Sequence, residues 1–149
     1  MLYKDIIREG IKYLEETHDV SGDALKCYLL SYELLQNNHI FDIIDLEYFK
    51  NLICKRIHDA ICKDIEKYGV EYVPMPSDFF SGTYLDFITP EIRVLIDAEK
   101  DILGKLQKED GGFDISWEWC TPYPEFDQAR NWWRPRLTID KLLFDEVNP

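Results

Sequence analysis

Long apolar runs are missing from this chain. None approaches the roughly 20 consecutive apolar residues that a membrane-spanning helix needs. The first residues, Met1-Leu2-Tyr3-Lys4-Asp5, put an acid where a secretory signal needs its apolar core, so the expected compartment is the cytoplasm. Positive charge is scarce as well: 17 Lys and Arg stand against 29 Asp and Glu, a net charge of −12. Binding to phosphate backbones or to anionic lipid needs clustered cations, so nucleic acid and membrane surfaces are disfavoured as partners. Cysteine is sparse, and four thiols in such a chain read as reduced rather than paired in disulfides. No strand pattern of useful length appears.

What is present is helical periodicity. The 149 residues suffice for one domain with a sizeable core, and a hydrophobic share of 46% argues against disorder. Leu2, Ile6, Ile7, Ile11 and Leu14 recur at helical spacing and predict a helix over about 2–16. Ser21 can cap a second helix over about 21–36, which buries Leu25, Tyr28, Leu29, Tyr32 and Leu35. Asp45 can cap a third over about 45–68, with Phe49, Ile53, Ile57, Ile61 and Ile65 inward and Gly69 just past its end. Residues 70–88 change character, with Val73-Pro74-Met75-Pro76 extended and turn chemistry at Ser77-Asp78 and Ser81-Gly82.

Thr89-Pro90-Glu91 starts a fourth helix over about 90–107 with Ile92, Leu95, Ile96, Ile102, Leu103 and Leu106 inward. Gly104 within it suggests a close helix contact. A long loop over 109–133 follows, then a last helix from about Pro135 to 146 carrying Leu137, Ile139, Leu142, Leu143 and Phe144. The expected fold is therefore all-α, a single domain of helices in antiparallel pairs.

The loop holds the chemistry-bearing residues. All four tryptophans fall in or beside it, at Trp117, Trp119, Trp132 and Trp133. Asp110, Asp114 and Glu118 interleave with them, and Arg134 follows. Aromatic platforms beside carboxylates suit a sugar, an organic cation or an isoprenoid chain. Two carboxylates across a cleft could also cleave a glycosidic bond. The plainer reading is a loop tied down by its aromatics with its acids in solvent. Arg130, Arg134 and Arg136 fit ion pairs with nearby acids better than an anion site. Cys54, His58 and Cys62 share a four-residue spacing, but eight helical residues rise about 12 Å, so they cannot meet at one ion. No metal and no cofactor is expected.

The pattern Leu103-x-x-x-Gln107-x-x-x-Gly111-x-Phe113, with Gly112 beside the turn, has a clear physical content. The Leu anchors the helix end and the Gln amide meets backbone groups without helical partners. The Gly turns the chain at positive φ, and the aromatic folds back. It resembles the repeat motif of the squalene cyclases, with Phe113 in place of their Trp. The stretch from about 70 to 145 is similar to the C-terminal part of uncharacterised bacterial proteins of the prenyltransferase and squalene-oxidocyclase-like α/α toroid superfamily.

That resemblance implies a partial toroid, about half a ring. The Asp-x-Asp-Asp acid motif of the cyclases is missing, and no His follows His58 to complete a prenyltransferase zinc site. The expected function is non-catalytic binding of a ligand or partner through 110–133. The alternative is a terpenoid, prenyl-type or glycosidase-like enzyme using the loop carboxylates. An open half-ring exposes apolar flanks, so a homodimer is the expected assembly, unless the chain is a piece of a longer toroid.

Overall fold

The structure, a computed structural model, describes residues 2–118 and 121–148. Among them the chain is all-α: α1 (Leu2–Glu16), α2 (Gly22–Asn37), α3 (Leu46–Ala60), α4 (Pro90–Leu106) and α5 (Phe126–Val147), with 3-10 turns at Ile65–Lys67, Pro76–Asp78 and Leu85–Phe87 and no β-strand. None of the helices is long and apolar enough to cross a membrane. The chain divides into two compact units. One holds residues 1–61 and 86–89; the other holds 62–85 and 90–149.

In the first unit α3 contacts both α1 and α2. The caps form where the residue types direct. Ser21 Oγ accepts the Ala24 N–H, and Asp45 Oδ1 accepts the N–H groups of Glu47 and Tyr48. Leu14, Leu25, Leu29, Phe49, Ile53 and Ile57 make a core, with Tyr32 set edge-on against Phe87. Arg56, although charged, is buried. Its guanidinium donates to the carbonyls of Leu14 at 2.9 Å and Glu15 at 2.7 Å, groups that the end of α1 leaves without helical partners. Cys54 is buried and its thiol reaches the Phe87 carbonyl; burial pushes its pKa up, so it is a packed thiol rather than a ligand.

Two helix boundaries differ from the expected ones. α3 stops at Ala60, not near 68. The four-residue apolar period runs on through Ile61 and Ile65, but Asp64 accepts the Glu66 N–H and starts a separate 3-10 turn. Cys62 therefore leaves the helix that carries Cys54 and His58, and its N–H pairs with the Pro74 carbonyl. No group of three or more metal-ligating side chains occurs among the described residues.

α5 begins at Phe126, nine residues before the expected start at Pro135. Proline removes one donor from a helix interior yet does not end it here. Thr138 Oγ1 donates to the Arg134 carbonyl across the kink-prone turn. The loop is correspondingly shorter than the expected 109–133. Gly104 meets no close contact, since an added Cβ would find nothing within 4 Å. In the second unit the 3-10 turn at Pro76–Asp78 packs on both α4 and α5.

Candidate functional site

The second unit holds a cavity of about 140 Å³. Four segments build it. Tyr68 and Gly69 open one wall, with Gly69 at φ +74° letting the chain turn directly against Leu106. Extended Val73 and Met75 continue that wall. α4 contributes Glu99, Ile102, Leu103 and Leu106 on successive turns. Phe113 to Trp117 line it too, and α5 adds Leu137 and Lys141. The walls are mainly apolar and aromatic.

The Gln107–Gly111 motif holds the Phe113–Trp117 segment in place. Gln107 Nε2 donates to the Gly111 carbonyl at 2.9 Å, as its position at the helix end implied. The Gly111 N–H returns to the Lys108 carbonyl, and the Lys108 N–H goes to the Gly112 carbonyl. Gly111 sits at φ +81°, the conformation that only glycine takes without strain. Phe113 is buried and its N–H donates to Thr138 Oγ1 at 3.0 Å. Ser116 Oγ donates to the Glu71 carbonyl. Trp117 is half-buried rather than largely buried, edge-on to Trp133 at 6.0 Å and to Phe126 at 5.9 Å.

One polar cluster reaches the cavity through Glu99 and Lys141. Glu99 on α4 and Lys141 on α5 are only 1% and 6% exposed. Lys141 Nζ donates to Glu99 Oε1 at 2.6 Å and to Ser77 Oγ at 2.5 Å. Ser77 in turn gives Glu99 two donors, its hydroxyl to Oε1 at 2.5 Å and its N–H to Oε2 at 2.9 Å. The ammonium has three protons. Its remaining neighbour is the Met75 thioether at 4.0 Å, a weak acceptor that also lines the cavity. The charges cancel within the cluster, as buried charges must. The Ser77 hydroxyl is thus held between the two, donating to Glu99 and accepting from Lys141.

The residues singled out in the sequence divide between several places. Asp114 and Trp117 line the cavity. Asp110 lies outside it, where its carboxylate accepts the Gly112 N–H at 3.0 Å and pairs with Arg134 at 2.7 Å. Those two bonds, the backbone one foremost, hold the Asp110 carboxyl below the usual range. Arg134 Nε also lies 3.1 Å from Asp114 Oδ1, close enough for an ion pair but off the hydrogen-bond line. Glu118 is exposed, 4.0 Å from Arg130. Arg136 pairs with Asp140 at 2.8 Å. The arginines are thus in ion pairs, as the acidic composition suggested.

Trp132 and Trp133 are exposed on α5. Trp119 lies outside the described residues, as does Cys120. No two loop carboxylates face each other across the cavity among these positions.

Sequence reasoning missed Ser77, Glu99 and Lys141. A signal was there to read. Ile92, Ile96, Glu99 and Leu103 form one buried stripe, and buried Lys141 and Phe144 form another together with half-buried Leu137. An acid on one apolar stripe and a base on another are a pair in waiting, because neither can be buried alone. The chain matches no protein-family model, no curated protein sequence and no solved structure.

Proposed function

We propose that this protein is a non-catalytic binding domain whose ligand is a small, neutral, largely apolar molecule carrying one hydrogen-bond acceptor. The observation that carries this reading is the mainly apolar cavity with a charge-balanced Lys141–Glu99 pair in its lining. Its volume suits a ring or short branched chain, since dry cavities of about 150 Å³ accept benzene. Glu99 already neutralises Lys141, so an anionic head group gains little there. A hydroxyl or carbonyl could take the lysine proton for which the weak acceptor Met75 Sδ is the remaining partner among the described residues. The Phe113–Trp117 segment is part of the lining, which keeps the site within the aromatic and acidic region.

The Gln107 to Gly111 contact supports kinship with the α/α toroid proteins, in a partial ring. The reading includes a homodimer in the cytoplasm, where Cys27, Cys54 and Cys62 stay as free thiols. An enzyme acting through the loop carboxylates finds less support. Asp110 and Asp114 are held in ion pairs and Glu118 points into solvent.

The test is a set of near-isosteric rings: p-cresol, toluene, p-toluate and 4-methylbenzylammonium, read by thermal shift and by amide spectra. Ligand binding raises the melting point with affinity. p-Cresol should shift it most, toluene less and the two ions least, with the largest spectral changes at Ser116 and Trp117. A flat response to all four, or a preference for either ion, would refute the reading.

A further inference from the structure

α5 carries two apolar lines, and only one of them is buried. The inward line runs through Ala129, Leu137, Lys141 and Phe144. The outward line runs through Trp132, Pro135, Ile139, Leu142 and Leu143, at the three- and four-residue steps of one helix face. Trp132 is 71% exposed and Ile139 55%, with Leu142 and Leu143 close to half. The polarity is inverted: a lysine is inside while leucines and a tryptophan are outside. A helix apolar on both faces ordinarily has both covered. Monomers seldom leave patches beyond a few hundred Å² open.

The charges on α5 indicate what covers it. Its first half holds Arg130, Arg134 and Arg136 against Asp127. Its second half holds Asp140, Asp145 and Glu146, and its only cation there is the buried Lys141. Cations near the start and acids near the end oppose the helix dipole, so the pattern is unfavourable for α5 by itself. Arg130, Arg134 and Asp145 are taken up by Glu118, Asp110 and Lys100 of the same chain, whereas Arg136 and Asp140 border the outward face, and an antiparallel second copy sets each Arg136 beside the other copy's Asp140.

We infer that the outward face of α5 is the seam of a homodimer, formed by two copies of this chain crossing antiparallel near Ile139. This deepens the homodimer reading above and is independent of the ligand. At that register Trp132 packs on the second copy's Leu142 and Leu143, and Arg136 meets its Asp140. The line from Trp132 to Leu143 is about 16 Å long. Beside it runs an open groove lined by Gly111, Gly112, Thr138 and Leu142 among others, which widens the contact surface beyond one helix. Like interacts with like through the same patch, as a closed two-fold requires.

The test is mass by light scattering at about 100 µM for the full chain and its variants. The wild type should weigh twice the 17.7 kDa chain. Ile139→Glu should weigh one chain while keeping its circular dichroism. Arg136→Glu and Asp140→Arg should each be monomeric alone, form a heterodimer when mixed, and dimerise again when combined in one chain. That recovery separates loss of the seam from loss of folding. A monomeric wild type would overturn the homodimer itself. A dimer that survives Ile139→Glu, or charge variants that fail to recover on mixing, would overturn this face and leave another face to be the seam.

Discussion

Truncating the buried pair tests the structure most severely. In Glu99→Leu, Lys141 stays inside with Ser77 Oγ as its one strong acceptor and no counter-charge. Breaking a buried ion pair in this way costs about 3–5 kcal/mol. In Lys141→Met, Glu99 keeps both donors from Ser77, at 2.5 and 2.9 Å. Each hydrogen bond to a charged group contributes about 1.5–3 kcal/mol, so this variant should lose less, about 2–3 kcal/mol. In the double variant no charge remains buried. Its cost comes from the orphaned Ser77 N–H and hydroxyl, about 1–3 kcal/mol. The two single losses would sum to about 5–8 kcal/mol, so the pair is expected to be strongly coupled.

Urea unfolding measures all three. The described tryptophans, Trp117, Trp132 and Trp133, belong to the second unit, so their fluorescence follows the unit that holds the pair. Circular dichroism follows both units. Midpoints should move while slopes stay constant, because the area exposed on unfolding barely changes. The expected order of stability is wild type, then the double variant close to Lys141→Met, then Glu99→Leu. A loss under about 1 kcal/mol for Glu99→Leu, or a double variant costing the sum of its singles, would show that the two groups are not buried against each other.

Gly69→Ala should lower the stability of the second unit by about 1–2 kcal/mol in the same urea assay, because φ +74° strains any side chain; its Cβ would also lie 2.2 Å from Leu106 Cδ1, which can swing away into the cavity. Asp110 has a folded pKa below its ordinary value of 3.8, so its stabilising effect is full above about pH 4 and fades as pH falls through the lowered value. Carboxyl carbon shifts should put the Asp110 midpoint below 3.8, and in Arg134→Ala it should rise only partway, since the Gly112 N–H remains the larger cause. An unchanged midpoint would remove Arg134 from that site.

The features legible in the sequence are those set within a few residues. Ser21, Asp45 and the Gln107 to Gly111 turn act over two to four positions, so residue type and spacing define them. The apolar members of the buried lines of α2 and α4 follow from period alone. What was not legible depends on partners far along the chain. Arg56 looks like a surface residue until the end of α1 supplies the carbonyls it caps, some forty positions away. Glu99 and Lys141 look like solvent-facing charges until α4 and α5 are set beside Ser77. α5 misled in the opposite direction: its leucines suggested a core face, yet the core took Lys141 and left Leu142 and Leu143 outside.

These two failures share one cause. Binary pattern assigns a helix one apolar face, and α5 has two lines to satisfy. The lysine on the inner line is tolerable only because Glu99 meets it, and the leucines on the outer line are tolerable only if something covers them. An apolar inner line would let α4 and α5 slide, since leucine packs on leucine at many offsets. A buried ion pair allows one offset, and Ser77 extends that constraint to the 3-10 turn. The cavity walls, drawn from the same elements, are fixed by it. Lys141→Met should therefore weaken ring binding more broadly than the loss of one hydrogen bond. If toluene, which cannot use the lysine proton, binds Lys141→Met as well as it binds the wild type, the pair does not set the shape of the cavity.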